Sequence, residues 1–80
     1  MKKVNIGNRS MKLHGKPQAK ILQKAIAMAT DYVEGRTTPR KLSNGLFSVL
    51  EVSRTDRIVI DREDLHFMTH EKYNLFVNQR

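Results

Sequence analysis

Three short runs rich in β-branched and aromatic residues, Leu46 to Val52, Arg57 to Asp61 and Leu65 to His70, are separated only by Ser53-Arg54-Thr55-Asp56 and Arg62-Glu63-Asp64. This spacing constrains the chain more than any other feature. A parallel crossover needs roughly a dozen residues or more, so runs this close together form antiparallel neighbours. Upstream the apolar period changes. At 100° per residue, Ile21, Leu22, Ala25, Ile26, Met28, Ala29, Tyr32 and Val33 fall within an arc of about 160°. Lys20, Gln23, Lys24, Thr30, Asp31 and Glu34 fall on the other side. Pro17 suits a first helical position, where its missing N–H would be unpaired anyway. Gly35 suits a left-handed cap just past the end. The pattern predicts a helix over 17–34 whose Met28 and Tyr32 belong to the core-facing stripe.

Around these elements, Val4-Asn5-Ile6 reads as a short first strand ended by Gly7. Residues 8–16 read as polar and irregular, with Met11 and Leu13 as anchors. Residues 36–40 form a loop, and Ser43-Asn44-Gly45 is a turn signal. The tail from Glu71 to Arg80 carries Tyr73, Leu75, Phe76 and Val77, enough apolar surface to fold back onto the rest. No repeat, low-complexity tract or linker divides the sequence, so residues 1–80 are expected to form a single domain. The economical arrangement is α+β: one main helix, about 17–34, packed on a small antiparallel sheet of three to four strands.

Composition narrows the partners. Fifteen Lys and Arg face eight Asp and Glu, a net charge of +7, and there is no cysteine. A chain of this size buries only about 60% of its unfolded surface, so its core is thin. Without cysteine it has neither a disulfide staple nor a thiolate metal site. No apolar run approaches the roughly 18 residues of a membrane span. The basic N-terminus has no apolar segment behind it, so no secretory signal is expected and the expected location is cytoplasmic. Residues 1–40 hold nine basic side chains against two acids, whereas residues 41–80 hold six of each. The excess charge therefore lies entirely in the first half. It serves either solubility or attraction to a polyanion such as a phosphate backbone.

Gly-rich phosphate loops, HExxH and calcium-loop motifs are absent. His66 and His70 are evenly spaced and would share one face of a strand. A two-His zinc site there would need a third ligand from the acids around 61–71, and no metal or other cofactor is expected. A meander of the last three runs would collect Arg54, Arg57, His66 and His70 on one surface, with Glu51 and Tyr73 nearby. Arg and Lys stabilise the charge that builds on a pentacovalent phosphate. His or Glu can take the ribose 2′-OH proton, and a second His can protonate the leaving 5′-oxygen. These are the parts for metal-free RNA cleavage. The plainer alternative is a solvated face on which Arg57 and Arg62 pair with neighbouring acids.

In order along the chain come Glu34-Gly35-Arg36, Pro39, and Lys41-Leu42-Ser43-Asn44-Gly45-Leu46-Phe47-Ser48-Val49. Arg57-Ile58-Val59-Ile60 and Leu65-His66-Phe67-Met68-Thr69-His70-Glu71-Lys72-Tyr73-Asn74 follow. Over about residues 17–77 this ordered set resembles the RelE/ParE superfamily of toxins, with their "EGR" loop, "KLxNGLxxxRV" stretch, arginine-bearing strand and "GTHxEYD" ending. The resemblance implies the toxin of a type II toxin–antitoxin pair, with a cognate antitoxin as partner. The expected target is mRNA on the ribosome, as in RelE-like branches, on the grounds of His70, Tyr73 and the basic first half; the alternative is DNA gyrase, as in ParE-like ones. The resemblance implies catalytic roles for His70, Tyr73 and Arg57, with Tyr73 or Phe76 stacking on a base, and the chemistry of the residues adds Glu51 as a candidate proton acceptor. Nucleic acid would be held by Lys20, Lys24, Arg36, Arg40, Lys41, Arg54, His66 and Lys72. The sequence departs from the family where Met68 replaces the Gly before "TH" and Glu51 stands where Arg is more usual. A single helix also replaces the usual helical hairpin. These departures fit a gyrase-directed or catalytically inactive branch. Outside the family, the residues also fit a non-enzymatic nucleic-acid-binding regulator of phage or plasmid type.

Overall fold

The computed structural model describes residues 2–41, 47–62 and 64–78, with side chains to residue 76. The expected turn at Ser43-Asn44-Gly45 lies outside the described residues.

The chain begins with a hairpin. Strand β1 (Lys2–Ile6) pairs antiparallel with β2 (Arg9–His14), Ile6 opposite Arg9. Gly7 and Asn8 form the two-residue connection, and Gly7 has φ 63° with no positive φ at Asn8, the pattern of a II′ turn. The expected irregular stretch 8–16 is therefore mostly strand. Its anchors hold, since Met11 and Leu13 are both buried.

Helix α1 (Ala19–Val33) follows, two residues shorter at its start than the periodicity suggested. Gln18 is the N-cap with extended backbone angles, so Pro17 stands one residue ahead of the cap and not inside the helix. The C-terminus closes as a Schellman motif. Gly35 N–H donates to Tyr32 O at 3.1 Å and Arg36 N–H to Asp31 O at 2.8 Å, while Gly35 takes φ 80°. Ala25 and Ala29 are fully buried, which lets α1 approach the sheet closely.

Strands β3 (Arg40–Lys41), β4 (Ser48–Glu51), β5 (Asp56–Asp61) and β6 (Asp64–Thr69) come next, ending in helix α2 (His70–Asn78). β4, β5 and β6 form the antiparallel meander that the short connections demanded. The sheet, however, has six strands in the order β1-β2-β6-β5-β4-β3, and β2 runs parallel to β6. The α+β class stands, but the three-to-four-stranded antiparallel sheet with one main helix becomes a six-stranded mixed sheet with two helices. The sequence showed only neighbours in the chain, and the parallel pair joins segments about fifty residues apart.

Both faces of the sheet are covered, unequally. Ile6, Met11, Leu13, Leu50, Val52, Ile58, Ile60, Leu65 and Phe67 form the main core with Ala25 and Ala29 of α1. On the opposite face Phe47, Val59 and Met68 form a smaller cluster under Tyr73 and Phe76 of α2. Tail folding-back thus occurs as a helix. Thr69 Oγ1 caps it by accepting the Lys72 N–H at 3.2 Å. Among the described residues no helix is long and apolar enough to cross a membrane.

Gly35→Ala tests the cap. A Cβ there meets no atom within 4 Å, so the cost is conformational only. The substitution should lower unfolding free energy by about 1–2 kcal/mol in urea titration.

Candidate functional site

Strand alternation decides which side chains share the α2 face. In one row across the sheet, Arg40 on β3 lies opposite Val49, Val49 opposite Val59, Val59 opposite His66, His66 beside Lys12, and Lys12 opposite Lys3. The adjacent row runs Glu51, Arg57, Met68, His14. Charged and imidazole groups therefore sit at the two ends of both rows, and the apolar Val59 and Met68 sit in the middle. α2 lies over that middle and divides the face into two polar clusters.

The first cluster gathers Arg40, Glu51 and Arg57. Glu51 Oε1 accepts from Arg40 Nη2 at 3.2 Å, and Arg57 Nη2 is 3.8 Å from Glu51 Oε2. Arg57 is the most enclosed of the three. Its Nη1 also donates to Ser53 O, and to Asp56 O at 3.0 Å. The guanidinium thus braces the β4–β5 turn while facing Glu51. Asp56 in that turn is buried, and its Oδ2 accepts from Ser53 Oγ at 2.8 Å and Thr55 Oγ1 at 3.0 Å.

His70 lies elsewhere. It is the first residue of α2 and not the last of a strand, so it shares no strand face with His66. Its N–H donates to Thr55 O at 2.6 Å, and its ring stacks with Tyr73 at a centroid distance of 6.1 Å. With Arg54, Thr55, Thr69 and Glu71 it lines a cleft of about 330 Å³. The expected association of Arg54 with His70 is present there. Both stand apart from the His66 cluster.

The second cluster was not foreseen. His14 Nε2 lies 3.0 Å from His66 Nδ1, the two rings tilted at 42°. His66 also faces Phe76 at 5.6 Å, and Phe76 faces Phe47 at 5.2 Å. Burial lowers the pKa of His14, and the positive or protonatable neighbours His66, Lys72 and Lys12 lower it further. Burial lowers that of His66 too, as does Lys12, while Asp64 and Asp61 act in the opposite direction. Both shifts favour the neutral imidazole over the charged one. His14 escaped sequence reasoning because residues 8–16 carried no clear strand period, and only the β2–β6 pairing brings it to His66.

The remaining expected nucleic-acid contacts are dispersed. Lys20 and Lys24 are exposed on α1, on the far side of the sheet from α2. Arg36 folds back onto the helix end, donating to Asp31 Oδ1 at 2.8 Å and to Glu34 Oε1 at 2.6 Å. These two carboxylates hold its pKa above the ordinary value. Lys41 is exposed on edge strand β3, and Lys72 is exposed on α2 near His14. Among the described residues no three His, Asp or Glu side chains gather as a metal-ligand set.

The depressed histidines make stability pH-dependent. Below the ordinary imidazole value of 6.5, the unfolded chain takes up protons that the folded pair resists. Unfolding free energy therefore falls as pH drops below about 6.5, until the folded pair itself protonates. A His14→Gln/His66→Gln variant should show a shallower fall between pH 7.5 and pH 5, read from urea midpoints.

No curated protein and no solved structure matches the chain. A family model described as a ParE-like toxin domain matches residues 19–75, a span from the start of α1 into α2 that includes Arg40, Glu51, Arg57, His66, His70 and Tyr73. With most of its length so matched, the chain belongs to the ParE-like toxin domain family, within the RelE/ParE superfamily.

Proposed function

We propose that the chain is the toxin of a type II toxin–antitoxin pair and that it cleaves mRNA by attack of a ribose 2′-OH on the adjacent phosphorus. The toxin part of this reading rests on the family. The cleavage part is supported chiefly by one observation: two neighbouring rows of a single sheet face carry Arg40 and Arg57 at one end and His14 and His66 at the other, with Tyr73 and Phe76 of α2 over the middle. Arg40 and Arg57 would contact phosphate oxygens beside Glu51, and Tyr73 would stack a base. His70 and Arg54 would hold the strand where it passes their cleft. Lys41 and Lys72 would add sequence-independent attraction to the backbone. Lys20, Lys24 and Arg36 would contribute to the long-range field and not to the cleavage face. An antitoxin, the partner that a toxin domain of this kind implies, would neutralise the activity by covering the cationic face.

A second reading, gyrase inhibition, is favoured by the commitment of Arg57 to turn carbonyls and to Glu51, which leaves fewer of its donors for a scissile phosphate. The two readings separate on one experiment. Induction of the chain without antitoxin should arrest growth, and primer extension should reveal new 5′ ends within translated mRNA. Arrest accompanied by stalled gyrase–DNA complexes and intact mRNA would transfer the assignment to gyrase. Continued growth would defeat both. Base stacking is worth about 1–3 kcal/mol by alanine substitution, so Tyr73→Ala should reduce mRNA cleavage by about 5- to 150-fold.

A further inference from the structure

Two imidazoles joined by one N–H···N hydrogen bond have a property that neither has alone. One proton lies between His14 Nε2 and His66 Nδ1, 3.0 Å apart. When it belongs to His14 Nε2, neutral His66 carries its proton on Nε2, and His14 Nδ1 is a bare acceptor. When it belongs to His66 Nδ1, His14 Nδ1 is the donor and His66 Nε2 the acceptor. In either tautomer the neutral pair therefore offers one outward donor and one outward acceptor.

Resting on the ribonuclease reading above, we infer that His14 and His66 form the coupled acid–base unit of phosphodiester cleavage, with Lys12 and Lys72 beside them to hold the phosphate oxygens. The 2′-oxygen forms a bond to phosphorus and gives its proton to the outward acceptor, His14 Nδ1. The bridging proton passes from His14 Nε2 to His66 Nδ1. His66 Nε2 releases its proton to the 5′-oxygen as the P–O5′ bond breaks. The products are a 2′,3′-cyclic phosphate and a 5′-hydroxyl, and the pair is left in its other tautomer. No net proton or co-reactant is needed, and the pair is ready for a substrate bound in the opposite sense or for a tautomer reset through solvent.

The surroundings suit this role. From β2 comes Lys12, from α2 Lys72, from β6 Asp64 and from β5 Asp61. Lys12 disfavours protonation of both imidazoles and Lys72 that of His14, which favours a free acceptor on the pair. The Phe76 ring lies against His66, with centroids 5.6 Å apart.

The test uses the full chain on isolated ribosome–mRNA complexes, with single-turnover cleavage followed by primer extension between pH 5.5 and 8.5. His14→Gln and His66→Gln should each slow cleavage by about 10²–10⁴-fold, the usual contribution of a positioned acid or base. Lys2→Gln, which removes one positive charge elsewhere, should leave the rate unchanged. Thermal melts of each variant separate loss of the fold from loss of chemistry. The pH profile of the wild-type chain is the second readout. A neutral pair needs no added proton, so the rate should be level from pH 7 to 8.5. It should fall up to tenfold per unit once the pair protonates and loses its acceptor. A bell with an alkaline limb in that range would mean two independent imidazoles, one of them cationic, and would overturn the coupled pair. Wild-type rates in folded His14→Gln and His66→Gln would overturn it too, leaving the ribonuclease assignment intact. Absence of any cleavage by the wild-type chain would remove that assignment and the inference with it.

Discussion

The parallel pairing of β2 with β6 is the contact on which the rest of the molecule depends. It joins an N-terminal hairpin to a C-terminal meander, placing Met11 beside Leu65 and Leu13 beside Phe67. All four are buried in the main core against α1. α1 is the crossover that makes a parallel pair possible, since it spans the sheet between the two strands, with β3, β4 and β5 completing the path. Remove the pairing and the hairpin has no third strand, while a two-stranded hairpin alone is marginal in water. The same register sends Lys12 and His14 to the other face, where they meet His66. Core and candidate chemistry are therefore two sides of one strand pair.

The two faces differ in kind. Under α1 the sheet is apolar throughout its centre, and small residues on the helix allow close approach. Under α2 the apolar patch is narrow, and α2 is held by Tyr73 and Phe76 together with the Thr69 cap, while Leu75 is left 63% exposed. A narrow patch leaves room on either side for polar side chains, so one face serves stability and the other carries the guanidinium and imidazole clusters. The positive excess of the first forty residues does not form a single binding surface. Lys20 and Lys24 look outward from α1, Arg36 is occupied by Asp31 and Glu34, and Lys3, Lys12 and Arg40 lie in the row on the other side of the sheet.

Much of this was legible in the residues, and what was not has a physical reason. The 3.6-residue stripe gave α1, Gly35 gave its cap, and the four- and three-residue gaps gave the β4–β5–β6 meander. Those signals are local, carried by neighbours within a turn or a hairpin. Of the first hairpin only the strand Val4–Ile6 and its end at Gly7 were read, because Ser10, Lys12 and His14 alternate with Met11 and Leu13 too briefly, after too polar a lead, to compete with a loop. Its pairing with β6 is a distant contact with no local signature. For the same reason Glu51, Arg57 and His66 could be placed on one surface while His14 could not. His70 was displaced for a different cause: the even spacing from His66 fits a strand, but Thr69 caps a helix and turns the chain one residue earlier.

The distance in sequence between the paired imidazoles has a consequence for how the protein comes into being. His14 and His66 are separated by 52 positions, and closing a loop of that length costs entropy that only the completed sheet repays. The hairpin and α1 can form early on a growing chain, but the imidazole couple cannot exist until β6 has left the ribosome. A nascent chain thus has its positive charge long before its two imidazoles can pair. The interval between the two is a period in which the polypeptide carries that charge without yet having the finished sheet face.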